Sequence, residues 1–388
     1  MDLPWTSWVI AALPAAFLAG SFVYVLLSLL AALRYRAQRV PEPAAARIPV
    51  SVLKPLHGLD EGLEENLRGF FAQPYRHADG TPAFEILFAT READDPAIAI
   101  VEKLREEFPD VPVSRLVTGE PPYPNAKVYS LALMTDAASN DVLVMADSDV
   151  RVDAGFLETV SAEFRDPALG LSTCPYRAVP GGSFWSFLEA LHMNTEFLGG
   201  VLTARLLEGV RFALGPTIAV RRGVLEDIGG FAELREFLAE DFVMGQRAAA
   251  HGHRVILSRY VIEHRIGSQN LAHSMAHRLR WARSTRRSRP AGYFGELFLR
   301  PLALALLLTA IAPAAWPVLP ATLALRYAQA AVMRRTIAAS FGWKHWLLLP
   351  VQDLVSFSLW LAGFFGNTIL WRGHRYRLEK DGRFTLVQ

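Results

Sequence analysis

Hydrophobic and polar positions divide this chain into an apolar beginning, a mixed middle and an apolar end. From Trp8 to Leu33 no charged residue interrupts the run, and at ~1.5 Å rise per residue a helix of that length crosses a ~30 Å hydrocarbon core. From about Arg47 to Pro290, short apolar runs alternate with segments of helical period. After Pro290 the chain turns apolar again. Pro301 to Leu325, broken by Pro313, Pro317 and Pro320, reads as one kinked span or a re-entrant pair, and Trp346 to Leu370, whose single charge is Asp353, reads as a spanning helix.

The middle region predicts strands at Val50–Leu53, Phe84–Ala89, Val113–Val117 and Val142–Ala146. Between them lie helices at Leu63–Phe71, around Ile98, Val101, Leu104 and Phe108, and at Ala126–Ala138. That alternation predicts an α/β fold with a largely parallel, helix-covered sheet. Val142-Leu143-Val144-Met145-Ala146 is apolar throughout, as a strand buried on both faces must be. Lys54, Asp94, Asp95, Asp147 and Asp149 then fall at one sheet edge, where open α/β sheets bind ligands. Beyond Asp149 the pattern reads as irregular, with Gly181-Gly182, a mixed aromatic and polar segment from Phe184 to Phe197, and Gly199-Gly200. A short strand at Thr217–Val220 and a turn of helix at Val224–Ile228 follow, then Glu240-Asp241 at the N-terminus of a helix reaching His251. Carboxylates there are favoured by the helix dipole, and as simple caps would need no further role.

Composition sharpens this outline. The chain of 388 residues is 52% hydrophobic with a net charge of +2, so nucleic acid is not an expected partner. The first apolar run is too long for a signal peptide core and has no basic segment before it, which makes it an anchor. Arg34, Arg36 and Arg39 follow, placing the next domain on the cytoplasmic face by the positive-inside tendency. The expected organisation is an anchor with a Pro/Ala linker over 1–45, a globular domain over 46–290 and a membrane region with a basic tail over 291–388. Cys174, the single cysteine, excludes an intrachain disulfide and reads as a small buried residue. His251, His253, His264 and His273 match no zinc motif.

Asp147 and Asp149 carry the most chemistry. Like charges one residue apart are poorly placed unless a cation lies between them, and a hard divalent ion holding a diphosphate resolves that. The span His277 to Arg289 contains six arginines and reads as a solvated face or as a basic belt on anionic lipid. Arg280 beside Trp281 differs, because a guanidinium fork matches diphosphate oxygens and an indole offers an apolar face to a sugar or lipid.

Taken together, Val52-Leu53-Lys54-Pro55-Leu56-His57-Gly58, Asp94-Asp95-Pro96-Ala97-Ile98, Asn125-Ala126-Lys127, Asp147-Ser148-Asp149, Thr173-Cys174-Pro175-Tyr176, Ala239-Glu240-Asp241-Phe242-Val243-Met244 and Arg280-Trp281 resemble the ceramide glucosyltransferase family of membrane-anchored GT-A glycosyltransferases. The resemblance covers about Val50 to Arg286 and implies a GT-A domain between membrane segments, in a multi-pass membrane protein. It also implies inverting transfer of glucose from UDP-glucose to the primary hydroxyl of ceramide or a similar membrane lipid, with Mg²⁺ or Mn²⁺. By motif position Asp241 would be the base, with Glu240 shaping its surroundings. Asp147 and Asp149 would hold the metal and sugar-diphosphate, Asp149 more directly. Lys54 and either Asp94 or Asp95 would contact uridine, Lys127 the nucleotide or sugar, Arg280 the leaving diphosphate and Trp281 the acceptor. His277 departs from the Gln or Arg usual at its position. It can still donate to phosphate or acceptor oxygen, with a charge that depends on pH near neutrality. A hopanoid glycosyltransferase using a UDP-N-acetylhexosamine would share these stretches. A polysaccharide synthase would need more spans and the usual Gln, and a silent scaffold would have no reason to keep Asp147, Asp149, Asp241 and Arg280.

Overall fold

The structure is a computed structural model that describes residues 5–40, 46–371 and 374–387, with side chains from residue 10. The linker positions 41–45 and Arg372 of the expected basic tail lie outside the described residues.

Helix α1 (Trp5–Arg36) ends with Arg34 and Arg36 in its last turn, where cations meet the negative end of the helix dipole. Then come β1 (Val50–Pro55), α2 (Leu63–Phe71), β2 (Phe84–Thr90), α3 (Ala97–Glu107), β3 (Val113–Val117), α4 (Ala126–Ala137) and β4 (Val142–Ala146), as the periodicity predicts. These four strands pair in parallel, with Val50 to Leu53 in register with Val142 to Met145. β4 is buried along its whole length.

The second half is more regular than its sequence. It contains β5 (Val150–Arg151), α5 (Phe156–Glu163), β6 (Leu169–Thr173), β7 (Tyr176–Pro180), α6 (Phe184–His192), α7 (Leu198–Glu208), β8 (Thr217–Arg221), α8 (Arg222–Asp227), α9 (Glu240–Ala250), β9 (Arg254–Leu257) and β10 (Ile262–Ile266). A seven-stranded sheet runs β3-β2-β1-β4-β8-β6-β9, and only β8 opposes its neighbours. A second, three-stranded sheet has the order β5-β10-β7, and its Arg265 amide donates to Asp149 O at 2.8 Å. The segment Phe184 to Phe197 is helical, which corrects the irregular reading: a π-helical turn, Met193–Phe197, joins α6 to α7. Its polar residues hid the helical period because they are buried and paired. Asn194 exchanges hydrogen bonds with the Ala178 backbone, and Glu196 meets His192 at 2.9 Å.

The last part comprises α10 (Leu271–Ser288), α11 (Pro290–Gly295), α12 (Pro301–Ile311), α13 (Val318–Thr336), α14 (Trp343–Gly363), β11 (Thr368–Trp371), β12 (His374–Leu378) and β13 (Phe384–Leu386). Among the described residues two helices are long and apolar enough to cross a membrane, Ile10–Arg36 and Trp343–Gly363, and the pair Pro290–Leu299 and Pro301–Ile311, bent by 67°, makes a third if counted as one span. Beyond α14 the expected basic tail is an antiparallel three-stranded sheet.

On helix α10 Arg278, Arg283 and Arg286 find partners within the protein, and Arg278 is buried. Arg278 donates to Gln352 and Ser356 at 3.3 Å. Arg283 and Arg286 donate to the carbonyls of Phe364, Phe365, Gly366 and Thr368, along the segment that leads from α14 into β11. Arg278 is therefore no part of a solvated face.

Arg326 of α13 is buried and grips Asp353 of α14 with two bonds, of 2.8 and 2.7 Å. Removing one partner strands the other charge. Arg326→Met is therefore expected to destabilise the protein by about 3–5 kcal/mol, seen as a lower unfolding midpoint in detergent, with recovery in Arg326→Met/Asp353→Leu.

Candidate functional site

A cavity of about 1360 Å³ opens at the carboxyl ends of β1 and β4 and runs on between α7, α10, α1 and α14. Asp147, Asp149, Lys127, Glu240, Asp241, His277, Arg280 and Trp281 all line it. These residues come from four distant segments, and the topology brings them together.

Asp147 and Asp149 sit in the turn leaving β4, and the Asp147 amide donates to Pro216 O of the neighbouring β8 segment at 3.1 Å. Lys127 stands in the first turn of α4, whose cap Asn125 accepts from the Val128 amide. Its ammonium lies 2.7 Å from Asp147 Oδ1 and 3.3 Å from Glu240 Oε1. Burial opposes that charge, but the carboxylates outweigh it and hold Lys127 well above the usual lysine range. Asp147 is pushed up by burial and by Asp149, against Lys127. Asp149 goes the other way. Burial would raise it, but His264 Nε2 at 3.1 Å, with Lys54 and Lys127, holds it below the usual range.

The tertiary structure adds His264 to this site. Antiparallel pairing of β10 with β5 sets His264 opposite Val150, next to Asp149 in the chain. Its Nδ1 and Asp149 Oδ1 are both buried without a hydrogen-bond partner among the described residues. A divalent cation would satisfy the orphaned carboxylate oxygen, so this donor set fits a hard ion with few protein ligands. Among the described residues no group of three or more His, Cys, Asp or Glu is gathered as a ready metal site. The alternation Ile262, His264, Ile266 marks a strand with an inward histidine, the one signal that pointed to it in the sequence.

Two expected nucleotide contacts are placed elsewhere. Lys54 is fully buried, and its ammonium donates to Asp147 O at 2.5 Å while lying 4.1 Å from the Phe70 ring centroid. Burial lowers its pKa to about 7 against the pull of Asp147 and Asp149. It is not among the cavity-lining residues, so it props the carboxylate turn from beneath. Asp94 is exposed, and Asp95 accepts from the amides of Gly58 at 3.1 Å and Ala97 at 2.9 Å, tying the loop after β1 to α3. Neither lines the cavity, whereas Asp60, which accepts from Ser148 Oγ, does.

Glu240 and Asp241 open α9, as expected. Asn125 Nδ2 donates to Glu240 at 3.3 Å. Burial, then the neighbouring Glu240, pushes Asp241 up to about 7. A Cβ on Gly215 would lie 2.8 Å from Asp241 Oδ2. Gly215→Ala is therefore expected to displace that carboxylate and lower kcat by about 10-fold or more, with nucleotide affinity and unfolding midpoint unchanged.

On α10, the His277 ring lies 4.9 Å from that of Trp281. His277 Nδ1 meets Glu189 Oε1 at 2.6 Å, and Ser274 Oγ donates to the other oxygen at 3.1 Å. Burial would raise Glu189, but His277 and Arg278 outweigh it. Glu189 comes from α6, which explains why the sequence offered His277 no partner.

A family model described as glycosyl transferase family 21 matches residues 13–384. Ceramide glucosyltransferase 1 of Caenorhabditis elegans is 28% identical over 229 residues, 58% of this chain and 47% of that protein. Ceramide glucosyltransferase of Komagataella phaffii is 33% identical over 138 residues, 34% of this chain and 26% of that protein. The chain spans about half the length of the curated relatives it matches. Among solved structures, the mannosyltransferase PcManGT from Pyrobaculum calidifontis in complex with GDP-Man and Mn2+ superposes with a TM-score of 0.54 at 20% identity, over 92% of this chain and 99% of that one. The likeness shows the GT-A-type fold.

Proposed function

Because the chain belongs to glycosyl transferase family 21, we propose that it transfers glucose from UDP-glucose, with inversion, to the primary hydroxyl of ceramide or a similar membrane lipid. One observation carries this reading. A single cavity joins the Asp149 and Asp241 carboxylates to Tyr24, Phe298, Leu359 and Trp360 of the membrane-region helices. A water-soluble acceptor needs no such apolar arm, whereas a lipid must bring its hydroxyl to a polar centre while its chains stay out of water.

Asp149 and Asp147 would hold Mg²⁺ or Mn²⁺, with His264 beside them, and a divalent ion there would neutralise charge on the leaving diphosphate. Asp241 takes the acceptor proton as the hydroxyl oxygen attacks the anomeric carbon and the bond to the diphosphate breaks. Arg280 stabilises the diphosphate charge as it develops, and Trp281 with His277 packs at the acceptor. Lys127 keeps Asp147 and Glu240 together beneath the donor, and Lys54 and Asp95 hold the loops in place. The same arm, once filled by lipid, excludes water that would otherwise hydrolyse the donor. We place the transferase domain at 46–290, on the cytoplasmic side of a multi-pass protein, from Arg34, Arg36 and Arg39 after α1.

Product analysis tests the reading. Purified protein in detergent with Mg²⁺ or Mn²⁺ is offered ceramide or a hopanoid polyol with UDP-glucose or UDP-N-acetylglucosamine in every pairing. Glucosylceramide is the expected product. A hopanoid product alone would replace the acceptor, the sugar it carries would decide the donor, and no transfer in any pairing would overturn the assignment.

A further inference from the structure

The sheet β11-β12-β13 has no part in the mechanism above, yet it touches two of the segments that carry it. Its inner face buries Ile369, Tyr376, Leu378 and Phe384, which pack with Trp371 and with Leu238, just ahead of Glu240 and Asp241. The backbone joins in. Phe384 N donates to Glu236 O at 2.9 Å, and Phe237 forms an antiparallel bridge with Arg383, so residues 236–238 add an edge to β13. Asn125 Nδ2 holds Phe237 O from the other side at 2.9 Å.

The second attachment is to α10. Arg283 Nη1 donates to Thr368 O at 2.6 Å, and Arg286 Nη2 donates to Gly366 O at 2.7 Å and Asn367 Oδ1 at 2.8 Å. Gly382, at φ +89°, a conformation that favours glycine, packs against Ser288, whose Oγ a Cβ there would meet first. Between these attachments, Trp371 of the sheet lines the cavity together with Leu238 and Arg280.

We propose that the C-terminal sheet is a positioning clasp, which holds the segment 236–241 against α10 so that Asp241 and the Arg280–Trp281 face meet the same bound donor and acceptor. The physical reason is spread over backbone pairing and a buried aromatic plug. A loop leading into a helix N-terminus has few restraints of its own, and a displacement of about 1 Å at a reacting group costs about 100-fold in rate. The assignment rests on the reading of Asp241 as the base.

Phe384→Ala in the full-length protein tests it. In the ceramide and UDP-glucose assay kcat is expected to fall by about 10- to 100-fold, with KM for UDP-glucose and Kd for UDP within about twofold. Amide exchange over 236–242 should rise, and Phe384→Leu should recover most of the rate. Unchanged kcat per folded molecule despite faster exchange would overturn the clasp, as would unchanged exchange. Should Phe384→Ala fail to fold, Arg383→Gln carries the same test, since it loses the 3.7 Å Glu236 ion pair and the packing on Phe237 without opening the core. An error in the base assignment shows separately, as full turnover in Asp241→Asn with the sheet intact.

Discussion

Asp241→Asn is expected to lower kcat for lipid glycosylation by about 100- to 10 000-fold while leaving UDP-glucose affinity within about threefold. The amide keeps the shape of the carboxylate beside Gly215 but has no lone pair basic enough to take the acceptor proton. Single-turnover transfer and donor binding, measured on the same preparation, separate the two effects, and undiminished turnover would remove Asp241 as base. The pH dependence follows from the same group. Burial and Glu240 raise Asp241 to about 7, and only its ionised form is a base. Activity should therefore be full above that value and fall as pH drops through it, with a slope of about one. An acid limb near pH 4, where an ordinary carboxylate titrates, would mean that Asp241 is not the group that controls the rate.

Asp149→Ala should act earlier, on binding. Its Oδ1 is buried and lacks a partner among the described residues, while its Oδ2 meets His264. Removing the carboxylate takes away the donor best placed for a cation and frees His264. Loss of even an outer-shell partner weakens metal sites by about 10- to 100-fold, so the fall in Mn²⁺-dependent UDP affinity should be at least that large. Calorimetric titration of UDP with Mn²⁺ and with EDTA is the measurement. The variant should bind UDP equally weakly in both, and a metal-dependent gain equal to that of the wild type would exclude Asp149 as a ligand.

These two residues also show how far local reading carries. Asp149 was legible because the run Val142 to Ala146 reads as a strand buried on both faces, which puts the next polar residues at a sheet edge. Asp241 was legible as an acid at a helix start, and its role came from resemblance. Its proximity to Gly215, Lys127 and Asp147 was not, because a pattern along one segment carries no register with another. His264 makes the same point: four histidines, His251, His253, His264 and His273, look alike in sequence, and only the pairing of β10 with β5 selects the one that faces Asp149.

What the sequence by itself determined is the order of apolar spans and α/β units, the sheet edge that carries the carboxylates, and the family resemblance. Each of these depends on periodicity, on run length or on residues adjacent in the chain. Only the tertiary structure decided that Lys54 lies under the site, that Arg283 and Arg286 of α10 hold the segment between α14 and β11, that the polar stretch after Phe184 is a buried helix, and that the basic tail is a sheet. Those outcomes depend on which distant group satisfies a buried charge or carbonyl. A lysine, an arginine or an asparagine carries the same demand for a partner wherever it stands, and the fold alone says who supplies it.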